Sequence, residues 1–306
     1  MAIPDFQTLM LPVLRYSANQ MVKMPDVADR IAGDMGLTED DLEELLPSGR
    51  QRLFYNRLAW AKFHMAKAGL IDTPQRGRFV ASGAGKALLA TNPSSIDINL
   101  LKTYPAYAAF IANTAPVVAD ESEASAVAVT STATPEEQID AAYGVLHSAV
   151  KTELLQRILD NTPLFFERLI VDLLVAMGYG GSHESAALRL GKSGDGGIDG
   201  VIDEDRLGLD RIYVQAKRYA HDSSVGRPAI QGFVGSLVGL GATKGVFVTT
   251  CTFSTHAVDY VRHLPQRVIL IDGERLSELM IEHGVGVRVS RTITVKRVDE
   301  DFFADD

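Results

Sequence analysis

The sequence predicts a mixed α/β protein in two parts: a mixed sheet flanked by helices, preceded by a small helical domain that carries a two-stranded wing. Three observations lead there. The C-terminal half reads, in order, as helix, three strands, helix, strand, helix, strand, helix, which makes a sheet with both parallel and antiparallel pairs. The N-terminal half reads as two short helices, a long basic helix and two short strands. Between them, "NTAPVVADESEASAVAVTSTATPEEQ" (Asn113–Gln138) has no helical or strand period and is rich in Ala, Ser, Thr, Pro and acids, so it is expected to be a linker. The expected division is residues 1–112, a linker over 113–138, and 139–306.

In the first part, "MPDVADRIAGDMGL" forms a helix closed by Gly36, and "TEDDLEELL" a second one capped by Thr38 with acids in its first turn. A longer helix follows over "RQRLFYNRLAWAKFHMAKAG", with Leu53, Leu58, Ala61, Met65 and Ala68 as its apolar stripe and Gly69 as its stop. "LIDTPQRGRFVAS" gives two strands around a Gly-containing turn, and "SGAGKALLA" begins a further helix. This order is that of a winged helix-turn-helix, a module that lays its third helix and its wing against DNA.

In the second part, Thr162 caps a helix over "TPLFFERLIVDLLVAMGY", with Pro163 in its first turn. "AALRL", "GIDGVI" and "RIYVQAKRY" are strands. "RPAIQGFVGSLVGLG" is a helix ended by glycines, "KGVFVTT" and "RVILIDG" are buried strands of the parallel type, and "STHAVDYVRHL" and "ERLSELMIEHG" are helices.

The net charge of -9 speaks against a polyanionic partner, but the charges segregate. Met1–Gly49 holds nine acids and three bases, whereas Arg50–Lys86 holds eight bases and the single acid Asp72. Residues 106–150 hold six acids and no Lys or Arg. One short basic segment in an acidic chain is a local footprint for nucleic acid, and it falls on the third helix and the wing tip. A solvated helix face is the plainer reading, and the helix-and-wing context argues against it. Arg50, Arg57 and Lys62 lie off the apolar stripe and Arg76 and Arg78 flank Gly77, so these five are the expected DNA contacts. Trp60 in the same helix is expected to be core.

The single cysteine, Cys251, excludes an intrachain disulfide and a cysteine-built metal site, and a reducing intracellular setting is expected. The seven histidines show no ligand spacing, so zinc is not expected. The N-terminus lacks a secretory signal pattern, and "PLFFERLIVDLLVAMGYG" is too short and too charged to span a bilayer. "GDGGIDG" lacks the spacing of a dinucleotide loop and opens into a strand.

The hairpin "GIDGVIDEDRLGLDRIYVQAK" carries the chemistry. Alternation puts Tyr213, Gln215 and Lys217 on one strand face, and an in-register hairpin sets Asp199 opposite Gln215 and Lys217. A carboxylate and an amide carbonyl are hard oxygen ligands that suit Mg²⁺, and a neighbouring ammonium orients water or neutralises a phosphorane-like transition state. Glu167 shares a helix face with Ile170, Val171 and Leu174, where an unpaired carboxylate costs several kcal/mol, so it is the expected third ligand; pairing with a nearby Arg is the plainer alternative. Thr249, Thr250, Ser254 and Thr255 stand at a strand end and helix start, where hydroxyls hold a phosphate or simply cap the helix.

Asp, then Gln-x-Lys on the next strand, with an upstream helical Glu, resembles the PD-(D/E)xK nuclease superfamily, and more narrowly the Mrr-type restriction endonucleases. The segments "FFERLIVDLLVAMGY", "GKSGDGGIDGVI", "VQAKRY", "VFVTTCTFSTHAVDYV" and "ILIDGERLSELM" carry the resemblance, and an N-terminal winged helix is the partner that family uses. The resemblance implies a restriction-endonuclease-like fold and a metal-dependent endonuclease acting on modified, typically methylated, double-stranded DNA. It implies Mg²⁺, with Mn²⁺ as an alternative, held by Asp199, Gln215 and Glu167, with Lys217 as the catalytic lysine. Gln215 stands where most of the superfamily has an acid, which removes one negative charge, but Gln is usual among Mrr-like members. Asp195 is a further turn or supporting residue. Cutting both strands with one site per chain favours a homodimer or higher oligomer, in the cytoplasm at the nucleoid. The rival expectation is a DNA-binding regulator with a non-catalytic nuclease fold, against which the intact Glu167, Asp199 and Lys217 speak.

Overall fold

The computed structural model describes residues 2–114, 132–180, 197–205, 209–220, 222–299 and 302. The chain divides into two compact units, residues 1–145 and 146–306.

The first unit opens with a helix the sequence reading did not anticipate, α1 (Phe6–Tyr16), which contains Pro12 and is capped by the Asp5 carboxylate accepting from the Gln7 and Thr8 amides. It buries Phe6, Leu9, Met10, Val13 and Leu14 in the unit's core. There follow β1 (Val22–Lys23), α2 (Met24–Met35), α3 (Glu39–Glu43), α4 (Leu53–Lys67), β2 (Ile71–Gln75), β3 (Arg78–Ala81), α5 (Gly83–Ala90), α6 (Ile98–Lys102) and α7 (Pro105–Thr114). Gly36, at φ 66°, closes α2 in the left-handed conformation that lacks a steric cost only for glycine. Thr38 and Asp41 cap α3 reciprocally. The strands form an antiparallel sheet in the order β1-β3-β2.

The long basic helix starts at Leu53, so Arg50 lies in the turn before it rather than on a helical face. Its buried stripe is Phe54, Leu58, Ala61 and Met65, continued by Ala68; Leu53 is half-buried. The stripe runs in the expected phase from Leu58 onward, and Phe54 takes the place expected of Leu53 because it sits four residues before Leu58 on the same face.

Helix α8 (Pro135–Asp160) begins inside the segment read as linker, and the boundary between the units falls within it. Its start is fixed by a reciprocal cap: the Thr134 hydroxyl accepts from the Glu137 amide at 3.3 Å, and the Glu137 carboxylate accepts from the Thr134 amide at 2.9 Å.

The second unit continues with α9 (Pro163–Ala176), β4 (Gly200–Asp203), β5 (Arg211–Lys217), β6 (Ser224–Val225), α10 (Arg227–Gly239), β7 (Lys244–Thr249), β8 (Thr252–Phe253), α11 (Thr255–Arg262), β9 (Arg267–Ile271) and α12 (Gly273–Glu282). The main sheet has the order β4-β5-β7-β9, with β4 antiparallel to β5 and the other pairs parallel. The expected strand "AALRL" lies outside the described residues. The sheet separates two apolar layers. Ile212, Val214 and Ala216 pack with Phe166, Ile170 and Leu276 from α9 and α12. Phe247 and Val268 pack with Ile230, Phe233 and Leu237 from α10. The β4–β5 hairpin is thus packed into the apolar layers, and Asp199, Gln215 and Lys217 stand at its polar end.

Candidate active site

The β4–β5 register runs from Asp203↔Arg211 to Gly200↔Val214, and one step further sets Asp199 level with Gln215. The Asp199 amide donates to the Val214 carbonyl at 2.9 Å, and the Ala216 amide donates to Asp199 Oδ2 at 2.8 Å. Lys217 Nζ lies 3.9 Å from the same oxygen. The hairpin backbone therefore aims the carboxylate, and the ammonium stands beside it.

Gln215 is the unusual member. Its side chain is buried, and among the described residues Oε1 has no hydrogen-bond partner. An orphaned buried acceptor costs about 1–3 kcal/mol, so a native fold keeps one only where something else uses it. The amide is seated against Gly197, which adopts φ +94° and has no side chain in the way; a Cβ there would come within 2.7 Å of Gln215 Nε2.

Glu167 arrives from α9, whose start is set by the Thr162 hydroxyl accepting from the Phe165 amide at 3.2 Å. Ile170, Val171 and Leu174 on its face are buried, and Glu167 itself is half-buried. Burial pushes its carboxyl above the ordinary range, the nearby Asp199 carboxylate pushes it further, and Lys217 pulls the other way. Glu167, Asp199 and Lys217 thus act on one another electrostatically. Two carboxylates against one ammonium suit a divalent cation with hard oxygen ligands, and the Gln215 amide stands level with one of them, Asp199. Among the described residues no three His, Cys, Asp or Glu side chains cluster as a metal site.

The hydroxyls near the strand end are committed to the backbone. Thr250 Oγ1 accepts from the Tyr219 amide at 2.9 Å and donates to the Tyr219 carbonyl at 2.6 Å. Thr249 Oγ1 donates to the Lys217 carbonyl at 2.8 Å, and Ser254 caps α11. Ser254 thus makes the helix cap that was one of its two expected roles, and Thr249 and Thr250 tie the main chain at Lys217 and Tyr219. Asp195 lies outside the described residues. One participant had no sequence signal: Arg218 donates to the Leu159 carbonyl at 2.6 Å and to the Asn161 carbonyl, so it anchors the end of α8 next to Lys217.

The basic segment of the first unit divides. Arg50 is exposed in its turn, and Arg76 and Arg78 are exposed on either side of Gly77, whose φ of +70° makes the turn between β2 and β3. Lys62 is half-buried, its ammonium 5.5 Å from the Phe79 ring centre. Arg57 is turned inward, contrary to the expected groove contact: it pairs with Glu137 at 2.5 Å and donates to the Pro4 carbonyl at 3.2 Å, with 17 % of its side chain exposed. Asn56 accepts from the Thr134 hydroxyl at 2.7 Å and Trp60 Nε1 donates to Glu136 at 2.7 Å, so the first turn of α8 covers this face of α4.

Comparison with known proteins brings the two halves together. A restriction endonuclease family model matches residues 158–280, and an Mrr N-terminal domain model matches residues 6–91. The type IV methyl-directed restriction enzyme EcoKMrr of Escherichia coli K12 is 36% identical over 317 aligned residues, spanning 99% of this chain and the whole of that protein. The chain belongs to the Mrr family of restriction endonucleases. The Mrr catalytic match contains Glu167, Asp199, Gln215 and Lys217, and the Mrr N-terminal match contains Arg50, Arg57, Lys62, Arg76 and Arg78. Two solved structures show weaker likeness to this Mrr-family chain. The modification-dependent restriction endonuclease AspBHI is 21% identical with a TM-score of 0.37, covering 46% of this chain and 36% of that one. MspJI, solved with a 27-mer oligonucleotide, is 21% identical with a TM-score of 0.34, covering 66% and 42%. No helix among the described residues is long and apolar enough to cross a membrane.

Proposed function

We propose that this Mrr-family protein hydrolyses methylated duplex DNA at a centre formed by Glu167, Asp199, Gln215 and Lys217, with one such centre in each copy of a cytoplasmic, nucleoid-associated homodimer. The observation that carries this reading is the buried Gln215 Oε1, which has no hydrogen-bond partner among the described residues and lies at the level of Asp199, where a hard cation would use it.

Glu167, Asp199 and Gln215 would hold a divalent ion, Mg²⁺ or alternatively Mn²⁺. When bound, such an ion supplies Lewis acidity towards the phosphate and lowers the pKa of water. The chain's own residues supply the rest. The Ala216 amide and the hairpin fix the Asp199 carboxylate in one orientation. Lys217, at the same end of the hairpin, donates to a phosphoryl oxygen as negative charge grows there, or holds the attacking water. The water oxygen bonds to phosphorus, one P–O ester bond breaks, and the departing oxygen takes a proton. Arg76 and Arg78 on the wing, with Arg50 and the less exposed Lys62, would contact the DNA backbone without reading sequence.

Asp199→Ala and Lys217→Ala test the assignment on methylated and unmethylated plasmid with divalent metal. Each variant is expected to lose cleavage while binding DNA as the wild type does. Wild-type nicking by both would refute the site. A wild-type protein that binds but never cuts would favour a DNA-binding regulator built on a silent nuclease fold.

A further inference from the structure

Two features of the second unit are incomplete by the ordinary rules of sheet structure, and each supplies what the other lacks. The first is the edge of the main sheet at β9. Among the described residues β9 pairs with β7 alone, and its outer row of backbone groups meets no further strand. Ile269, of the same strand parity as the core residue Ile271, is 59 % exposed at that edge. An edge with an uncovered branched apolar side chain is a template for another strand, and it carries neither the proline nor the bulge that would block pairing.

The second feature is the segment after α12. Residues 287–296 alternate in the pattern of a half-buried strand. Val287, Val289, Ile293 and Val295 fall on one parity with Arg291, and Arg288, Ser290, Thr292, Thr294 and Lys296 fall on the other. Valine, isoleucine and threonine dominate, as in strands. Yet the segment belongs to no ladder among the described residues, and Val289, Ile293 and Val295 are 82 %, 63 % and 65 % exposed. Both family matches end before it.

We propose that residues 287–298 of one copy add as a strand to the β9 edge of a second copy, and that the exchange is reciprocal. The partner is a second copy because every chain carries both halves, so a two-fold exchange closes and leaves neither edge nor strand unused. The segment does not fill its own edge. It departs at Gly286, where an added Cβ would come 3.1 Å from Met280 Cε and 3.4 Å from Leu154 Cδ2, so the turn is seated against α12 and α8. Pairing of two such segments with each other is disfavoured by charge: Arg288, Arg291, Lys296 and Arg297 are accompanied by no acid between His283 and Val298. On β9 the apolar parity covers Ile269 while the other parity stays in water. This interface names where the proposed homodimer would form and depends on that reading only in needing a second copy.

Sedimentation of the full chain without DNA or metal tests it, so failure of the nuclease assignment would leave the result readable. The wild type is expected to be dimeric at micromolar concentration. Ile269→Lys, and separately Ile293→Asp with Val295→Asp, should each raise the dimer dissociation constant at least about tenfold, because a charge at the junction opposes pairing. Thermal unfolding near that of the wild type would show the variants folded. Amide exchange over residues 288–298 should slow with rising protein concentration in the wild type and not in Ile269→Lys. A monomeric wild type, or variants that keep its mass, would overturn the proposal. So would an unchanged mass combined with a flattened salt dependence of DNA binding on replacing the four cations by Gln, which would assign the segment to DNA.

Discussion

Gly197→Ala perturbs the amide pocket of the site without touching a charged group. Gly197 holds φ +94°, where an alanine carries about 1–2 kcal/mol of backbone strain. The new Cβ would stand 2.7 Å from Gln215 Nε2, where ordinary contact begins at 3.4 Å. The amide must then retreat by roughly 0.7 Å or the turn must open, and Gln215 is buried, with little room to swing. Displacing a reacting or ligating atom by ~1 Å costs on the order of 10²-fold in rate. That corresponds to about 3 kcal/mol of barrier. Single-turnover cleavage of methylated plasmid, followed across a divalent-metal titration, is the assay. A rate ten- to a hundredfold lower is expected, roughly in line with that displacement, with a higher metal requirement and unchanged DNA affinity. Wild-type rate and wild-type metal requirement in a folded Gly197→Ala protein would refute the role given to Gln215.

Glu137→Ala should leave the Arg57 guanidinium buried without a counter-charge and destabilise the first unit by about 3 kcal/mol, read by urea unfolding. Burial alone would raise the Glu137 carboxyl, but hydrogen bonds from Arg57 and Thr134 together hold it below its usual value, which is why the pair survives there. His64, packed among Phe6, Trp60, Phe63 and Tyr107, is pushed down to about 4 by burial. The folded protein then excludes a proton that the unfolded chain takes up below pH ~6.5, so this contribution is complete above that pH and is lost as pH falls towards about 4. It amounts to roughly 3 kcal/mol, and His64→Gln should flatten the corresponding part of the stability–pH curve. Arg76→Gln with Arg78→Gln should weaken DNA binding equally for all sequences and reduce the salt slope by about 2; an unchanged slope would remove the β2–β3 turn from the interface.

The catalytic half was legible because its signals are local or nearly so. Thr162 and Pro163 announce α9, the apolar runs of β7 and β9 announce buried parallel strands, and the register that levels Asp199 with Gln215 follows from a hairpin joining neighbouring segments. The first half was less legible where one residue's role is decided by a distant one. Arg57 looks like a groove contact from its place off the stripe, but its partner Glu137 lies eighty residues away at the end of a segment with linker composition. Helix α1 went unread because Pro12 interrupts its pattern, although Asp5 caps it. The unpartnered oxygen of Gln215 had no sequence signal, since an amide's accessibility depends on every layer around it.

The double hydroxyl brace after β5 has an entropic consequence. Thr249 holds the carbonyl of Lys217, and Thr250 holds both backbone groups of Tyr219, so the main chain on either side of Arg218 is fixed before any substrate arrives. Lys217 then has only its own side-chain torsions left to order, about 2 kcal/mol of rotamer freedom for such a chain. Had the same lysine stood on an unbraced loop, each further residue to be frozen would add about 1–2 kcal/mol of backbone ordering to the encounter with DNA. Two threonine hydroxyls move that cost from the reaction into the folding of the protein, where it is incurred once per molecule rather than once per turnover.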